Sequence, residues 1–155
     1  MRILHFADVH LDRPLVGLPP DVGRRRRHEL RAAFRRCLVA AREHNADLVT
    51  IGGDLWEDEH VTPDTRRFVA SELKDLDLPV LMICGNHDPY LAGGNYARSA
   101  WPTNVQISRH DVVTQFRFDS VTLSVTRCDR LELVNAFGPP APPRLTGARA
   151  PRRTP

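Results

Sequence analysis

The sequence predicts an α/β fold that begins with a parallel β-α-β-α-β unit and continues into short antiparallel strands. Apolar runs that end at glycine-rich turns indicate buried strands, as found in parallel sheets covered by helices. Between these runs, apolar residues recur every three or four positions, which is the spacing of one helix face. Strands and helices that alternate in this way favour a parallel sheet with right-handed crossovers.

The first strand is expected over residues 2–6, and a proline-rich loop follows it. The first helix is expected from about residue 21, because apolar residues there fall on one helix face. Its first turns carry a run of four basic residues, which are Arg24, Arg25, Arg26 and Arg27. This run is either a nucleic-acid contact or a solvated helix face. Because four positive charges near a helix N-terminus oppose the helix dipole, the nucleic-acid interpretation stays open.

The second strand is expected over residues 47–51 and ends at Gly52-Gly53-Asp54. A second helix is expected over residues 63–76, with Thr62 as N-cap and Pro63 at the first helical position. The third strand, residues 79–84, ends at Gly85-Asn86-His87-Asp88. Shorter strands are expected at 105–107, 112–118 and 121–125, with residues 119–120 as a hairpin turn.

Composition divides the chain into residues 1–126 and a Pro/Arg-rich tail, residues 127–155, which we expect to be disordered. The tail's arginines supply more than the net charge of +3, so the charge is weak evidence for nucleic-acid binding. No stretch approaches the roughly 20 apolar residues of a membrane span. The first residues lack a signal-peptide pattern and the three cysteines form no CxxC pair, so we expect a cytoplasmic protein that does not insert into membranes.

Polar clusters follow each of the three predicted parallel strands, where open α/β sheets bind ligands. These residues are Asp8, His10, Asp54, Asn86, His87 and Asp88. Their oxygen and imidazole donors suit Mn²⁺, Fe²⁺ or Zn²⁺. On an extended segment, residues i and i+2 share a side, so Asp8 and His10 are expected to reach one ion together. Turn chemistry alone explains the glycines but not the histidines and carboxylates, so the sequence predicts a metal site.

The motifs Asp8-Val9-His10, Gly53-Asp54 and Gly85-Asn86-His87-Asp88 resemble the opening signature of the calcineurin-like metallophosphoesterase superfamily. The wider context of residues 5–18, the Arg-rich helix and residues 53–56 resembles the SbcD-type DNA repair exonucleases. The resemblance covers about residues 1–125. It implies the N-terminal part of a metallophosphoesterase-type α/β sandwich.

The resemblance implies a metal-dependent phosphodiesterase of the DNA exonuclease type, with two divalent ions, expected to be Mn²⁺. Asp8 and His10 would bind the first ion, Asp54 would bridge both, and Asn86 would bind the second. His87 would be the general acid or would steady the phosphate in the transition state, and Asp88 would orient His87 by a hydrogen bond. A DNA substrate, a homodimer and an ATPase partner are also implied.

The sequence departs from this family in lacking a further histidine and a Gly-His-x-His motif, which supply metal ligands in family members. We therefore expect a truncated or frame-shifted product. One alternative is a metallophosphoesterase for small nucleotides or phosphoproteins, which would carry the same three motifs. Another is a non-catalytic fragment or nucleic-acid-binding remnant, whose affinity would fall with salt and would not need metal.

Overall fold

A computed structural model describes residues 1–109, 114–118 and 121–125 of the chain. Within them, four parallel strands form a sheet in sequence order. They are β1 (Ile3–Phe6), β2 (Leu48–Ile51), β3 (Val80–Ile83) and β4 (Val105–Ser108). Helix α1 (Pro20–Glu43) connects β1 to β2, and α2 (Pro63–Leu76) connects β2 to β3. The predicted parallel β-α-β-α-β start is confirmed.

A separate antiparallel pair consists of β5 (Thr114–Phe118) and β6 (Val121–Val125), as predicted. The predicted hairpin turn at residues 119–120 and the predicted tail, residues 127–155, lie outside the described residues. The single-turn helix α3 (Asn95–Arg98) was not predicted, because four residues are too few to show helical periodicity.

Apolar faces of α1 and α2 cover one face of the parallel sheet. Phe34 on α1 is almost fully buried, and its ring lies 5.8 Å from that of Phe6 on β1 and 5.9 Å from that of Phe68 on α2. Arg31 and Arg35 lie over the Phe68 ring from the α1 side. These contacts join the helices above the strands, so the carboxyl ends of the strands are held in a fixed arrangement.

The loops after β1 and β2 continue to pair beyond the strands. The His10 amide donates to the Asp54 carbonyl at 2.9 Å, and the Leu11 amide donates to the Leu55 carbonyl at 2.9 Å. Leu11 and Leu55 are almost completely buried, as is Trp56, which forms a parallel bridge with Leu11. Buried apolar residues thus anchor both loops, while the polar residues beside them remain accessible.

No helix in the described part of the chain combines the length and the apolar character needed to cross a membrane.

Candidate metal centre

The backbone turns sharply at the residues predicted to bind metal. Asp8, His10 and Asp54 have φ values of 57°, 50° and 51°, in the left-handed region. Non-glycine residues there each cost about 1–3 kcal/mol and persist where the surroundings hold them. The prediction that Asp8 and His10 share a side of an extended segment was wrong, because neither residue is extended. The paired loops place them instead.

Asp8, His10 and Asp54 nevertheless converge. Each offers a ligand atom, and these atoms all lie within 4.8 Å of one another. The His10 Nε2 atom lies 3.9 Å from the Asp8 Oδ1 atom. Two carboxylates and an imidazole form a donor set that fits a hard to borderline divalent cation, so these residues could hold the expected metal.

Two glycines leave room for the Asp54 carboxylate. A Cβ atom on Gly85 would lie 2.1 Å from the Asp54 Oδ1 atom, so no side chain fits there without displacing that carboxylate. Gly53 has φ +103°, and a Cβ atom on it would lie 3.0 Å from the Gly85 backbone. The His87 amide donates to Asp54 Oδ1 at 3.1 Å. The close approach of the two loops therefore fixes where the Asp54 carboxylate lies.

Glu57 holds both histidines of the site and was not predicted. Its Oε1 atom accepts from His10 Nδ1 and its Oε2 atom accepts from His87 Nδ1, both at 2.9 Å. The two rings are nearly perpendicular, with centroids 5.1 Å apart. Since an ionised carboxylate only accepts, each Nδ1 carries the proton, which leaves both Nε2 atoms available. This is how ligating histidines are commonly oriented by a carboxylate.

Glu57 and His87 shift each other's pKa. Burial acts to raise the pKa of Glu57, but hydrogen bonds and charge interactions with His87 and His10 outweigh it, so the pKa is lowered. The hydrogen bond and charge of Glu57 raise the pKa of His87 above 6.5, and nearby Arg13 opposes the rise. The arrangement favours a protonated His87, which is the form that can donate a proton.

Asp88 has a different role from the one predicted. It is completely buried, and its Oδ1 atom accepts from the amides of Asp54 and Gly85 at 3.0 and 2.6 Å. Its Oδ2 atom accepts from the Leu55 amide and the Tyr96 hydroxyl, both at 2.7 Å. Burial raises the pKa of Asp88, and these hydrogen bonds oppose the rise.

Asp88 therefore ties the loop after β3 to the loop after β2. Its hydrogen bonds do not go to His87, and the predicted orientation of His87 by Asp88 is wrong. Successive side chains of the turn point apart, so Glu57 reaches His87 while Asp88 turns into the core.

Asn86 lies on the exposed rim of the site. With His87, Glu57 and Arg13 it lines a polar cavity of about 420 Å³. Within the described residues its side chain forms no hydrogen bond, so its amide oxygen is available to a ligand. A second, more apolar cavity of about 720 Å³ adjoins Asp8 and His10 on the side of α1. Arg13 lines both cavities.

The basic run on α1 is divided between two environments. Arg25 and Arg26 pair with Glu29 at 3.4 and 2.8 Å. Arg24 and Arg27 instead line a separate cavity of about 300 Å³. The run therefore does not act as one charged surface.

Sequence reasoning missed Glu57 and Arg13. The available signal for Glu57 was its position three residues after Asp54, but Asp58 and Glu59 follow it with the same charge. His87 lies 30 positions after Glu57 in the chain, and His10 lies 47 positions before it. Glu57 contacts both because the fold brings their three loops together.

Comparison with known proteins agrees with this geometry. The family described as calcineurin-like phosphoesterase matches residues 1–136. The chain is 30% identical over 113 residues to the uncharacterized metallophosphoesterase YhaO of Bacillus subtilis (strain 168), covering 69% of this chain and 27% of YhaO. It is 34% and 33% identical to the DNA double-strand break repair protein Mre11 of Methanopyrus kandleri and of Archaeoglobus fulgidus, over 93 and 91 residues. Each of these two matches covers 57% of this chain and 19% of the relative.

The chain thus spans about a fifth to a quarter of the length of these curated relatives. The match to the family covers most of the chain and includes every residue of the metal centre and of the Glu57 hydrogen-bond group. This chain belongs to the calcineurin-like phosphoesterase family.

Proposed function

We propose that this chain is a metal-dependent phosphodiesterase of the DNA exonuclease type. One observation carries the proposal: Glu57 binds the Nδ1 atoms of both His10 and His87. This arrangement leaves the His10 Nε2 atom beside Asp8, where a cation would bind, and leaves the His87 Nε2 atom open to a substrate. A metal ligand and a proton donor therefore share one orienting carboxylate.

In this proposal Asp8 and His10 would hold a first divalent ion, Asn86 would hold a second, and Asp54 would be a ligand shared by both. When bound, two such ions would stabilise charge on the phosphate and lower the pKa of a bound water. His87 donates a proton to the leaving sugar oxygen, and the hydrogen bond to Glu57 raises the pKa of His87, which favours its protonated form. Further ligands would come from outside the described residues, from water or from a second chain.

Two observations support DNA as the substrate. Two of the relatives are DNA double-strand break repair proteins. The cavity beside Asp8 and His10 also combines apolar residues with Arg13 and Arg36, which suits a ligand that carries both bases and phosphates. Mn²⁺ as the native ion, a cytoplasmic location, a homodimer and an ATPase partner belong to the same proposal.

The test is Mn²⁺-dependent hydrolysis of bis-p-nitrophenyl phosphate by the purified chain. We expect Asp54→Asn to lower the rate by at least about 100-fold, because a neutral amide cannot replace a bridging carboxylate. Asp75→Asn, an exposed position on α2, is the matched control and should keep the rate. Hydrolysis that survives in Asp54→Asn would remove this residue from the mechanism. Single-stranded DNA and a cyclic nucleotide as second substrates then separate a nuclease from an enzyme for small nucleotides.

A second prediction separates the roles of His87 and the metal ligands. We expect His87→Ala to lower turnover by about 100-fold or more, which is within the usual range for a lost general acid. Mn²⁺ affinity, measured by calorimetric titration, should change little. An equal loss of turnover and Mn²⁺ affinity would make His87 a ligand.

A further inference from the structure

We propose that the cavity lined by Arg24 and Arg27 is a second phosphate site, which holds a backbone phosphate of a polynucleotide away from the one that is cleaved. The cavity has a volume of about 300 Å³. It is lined by Asp12, Arg24, Arg27, His28, Arg31 and Thr62. This inference rests on the proposed function for the identity of the substrate, but the site itself is separate from the metal centre.

The helix presents these basic residues together. Positions 24, 27, 28 and 31 are three or four residues apart, so their side chains lie on one face of α1. Arg25 and Arg26 fall on the neighbouring face, where both pair with Glu29. Helix geometry thus selects two of the four arginines of the run for the cavity.

Arg24 and Arg27 differ from the other two arginines of the run in having no carboxylate partner among the described residues. Within the described part of the chain, neither guanidinium forms an ion pair or a side-chain hydrogen bond, and both side chains are exposed. Arg31, a half-buried residue of the same lining, donates to Asp64 at 2.8 Å and to Thr65 at 2.6 Å, so it is fixed in place. Two unpaired guanidinium groups beside a fixed third one form a surface that suits a phosphate, which guanidinium groups can bind through two hydrogen bonds.

Among the described residues that line the cavity, Asp12 is the acidic one, and one of its carboxylate oxygens is held by hydrogen bonds. Its Oδ2 atom accepts from the amide and the hydroxyl of Thr62, at 3.0 and 3.1 Å. These groups belong to the N-terminus of α2, where the helix dipole stabilises a negative charge. Asp12 is therefore tied to the start of α2, and Arg24 and Arg27 remain accessible to an external anion.

The position of the cavity fits a polynucleotide. Asp12 is two residues beyond His10, so their Cα atoms lie no more than about 7 Å apart. Phosphates follow one another about every 3.4 Å along the axis of each DNA strand. A strand with one phosphate at the metal centre therefore brings another within reach of α1 after a few nucleotides. A mononucleotide has no such second phosphodiester.

The test measures binding without metal. Fluorescence anisotropy in EDTA would follow a fluorescein-labelled, 20-nucleotide single-stranded DNA, and an RNA of the same sequence, on the full chain. We expect Arg24→Gln/Arg27→Gln to weaken the affinity by about tenfold or more at low salt. The slope of log affinity against log salt should become shallower by about 0.7, the value for one lost contact to a single-stranded phosphate. Because phosphate contacts carry no base information, DNA and RNA should lose affinity equally.

The control variant is Arg25→Gln/Arg67→Gln, which removes the same charge from exposed positions that do not line this cavity. Glutamine and arginine have similar helix propensities, and thermal unfolding would verify that both variants fold. Equal weakening in the two double variants would show that only net charge matters and would overturn the proposal, as would unchanged affinity in Arg24→Gln/Arg27→Gln. Because EDTA removes divalent ions, the result does not depend on whether the chain hydrolyses phosphodiesters.

Discussion

Glu57 joins two histidines that have different tasks in the proposed mechanism. A single carboxylate binds the Nδ1 atoms of His10 and His87, and its side chain is only 15% exposed. Neutral glutamine has the same shape but offers one acceptor oxygen in place of two. The change Glu57→Gln therefore removes the acceptor for the Nδ1 proton of one ring and removes the charge that both rings interact with.

The pH dependence of stability tests this group in the metal-free chain. His87 has a raised pKa, so its contribution to the stability of the fold is fully present below pH 6.5. This contribution is lost as pH rises through the folded-state pKa. Glu57 has a lowered pKa, so its contribution to the stability of the fold is present above pH 4.5. This contribution is lost as pH falls through the folded-state pKa. We expect the difference in Tm between the natural chain and Glu57→Gln to be largest between pH 4.5 and 6.5. Thermal unfolding in EDTA would measure it, with exposed Glu59→Gln as control, and a difference that is constant from pH 5 to 9 would contradict it.

Gly85 offers a second test at the scale of one residue. In Gly85→Ala the new Cβ atom would lie 2.1 Å from the Asp54 Oδ1 atom, so the carboxylate must move. We expect Mn²⁺ affinity, measured by calorimetric titration, to fall by at least about tenfold, because ligand placement sets affinity. Gly23→Ala is the control, since no atom lies within 4 Å of its added Cβ. Unchanged affinity in Gly85→Ala would mean that Asp54 is not a ligand.

At the scale of single residues, Asp8, His10, Asp54 and His87 could be predicted as candidates from the sequence, because each belongs to a short motif that can be recognised without knowing the fold. It could not supply the contact partners. Asp88 lies next to His87 in the chain, yet its hydrogen bonds go to backbone amides and to Tyr96. Side-chain contacts depend on how the loops cross, which no local pattern records.

Among the elements, α2 was predicted with the bounds it has, whereas α1 begins one residue before the expected position. The reason is chemical: Thr62 and Pro63 are strong start signals, and the Thr62 hydroxyl does accept from the Thr65 amide at 3.2 Å. At the start of α1, Pro20 occupies the first helical position as Pro63 does in α2, but Pro19 caps without a side-chain hydrogen bond, so the N-cap signal is missing. Capping chemistry thus decided which boundary could be read from sequence.

Thr62 also connects α2 to the loop that carries the proposed metal ligands Asp8 and His10, since its hydroxyl donates to Asp12. We expect Thr62→Ala to lower the free energy of unfolding by about 1–2 kcal/mol, the usual cost of a lost N-cap together with this hydrogen bond. Urea unfolding would measure the loss. Thr62→Ser keeps the hydroxyl and should cost much less. If serine were as damaging as alanine, the methyl group rather than the cap would be responsible.

Across the whole molecule, the parallel sheet gathers residues from distant parts of the chain. Loops after β1, β2 and β3 bring Asp8, Asp54 and Asn86 to one edge because parallel strands all end there. The fold class was therefore sufficient to predict that these residues meet at one edge of the sheet. In the metal-free chain this arrangement has a cost, since the carboxylates of Asp8 and Asp54 lie close together without a cation between them.

Metal binding should therefore stabilise the folded chain. A ligand that binds only the native state adds about 2.7 kcal/mol at a concentration 100 times its Kd. For a chain of 155 residues, this corresponds to a rise in Tm of roughly 5–11 °C. We expect Mn²⁺ to produce such a rise in the natural chain and to have little effect on Asp54→Asn, with Asp75→Asn responding like the natural chain. The measurement requires no catalysis, so it tests the metal centre even if hydrolysis depends on residues elsewhere. Equal responses in the natural chain and Asp54→Asn would place the bound ion away from Asp54, and the proposed centre would then be wrong.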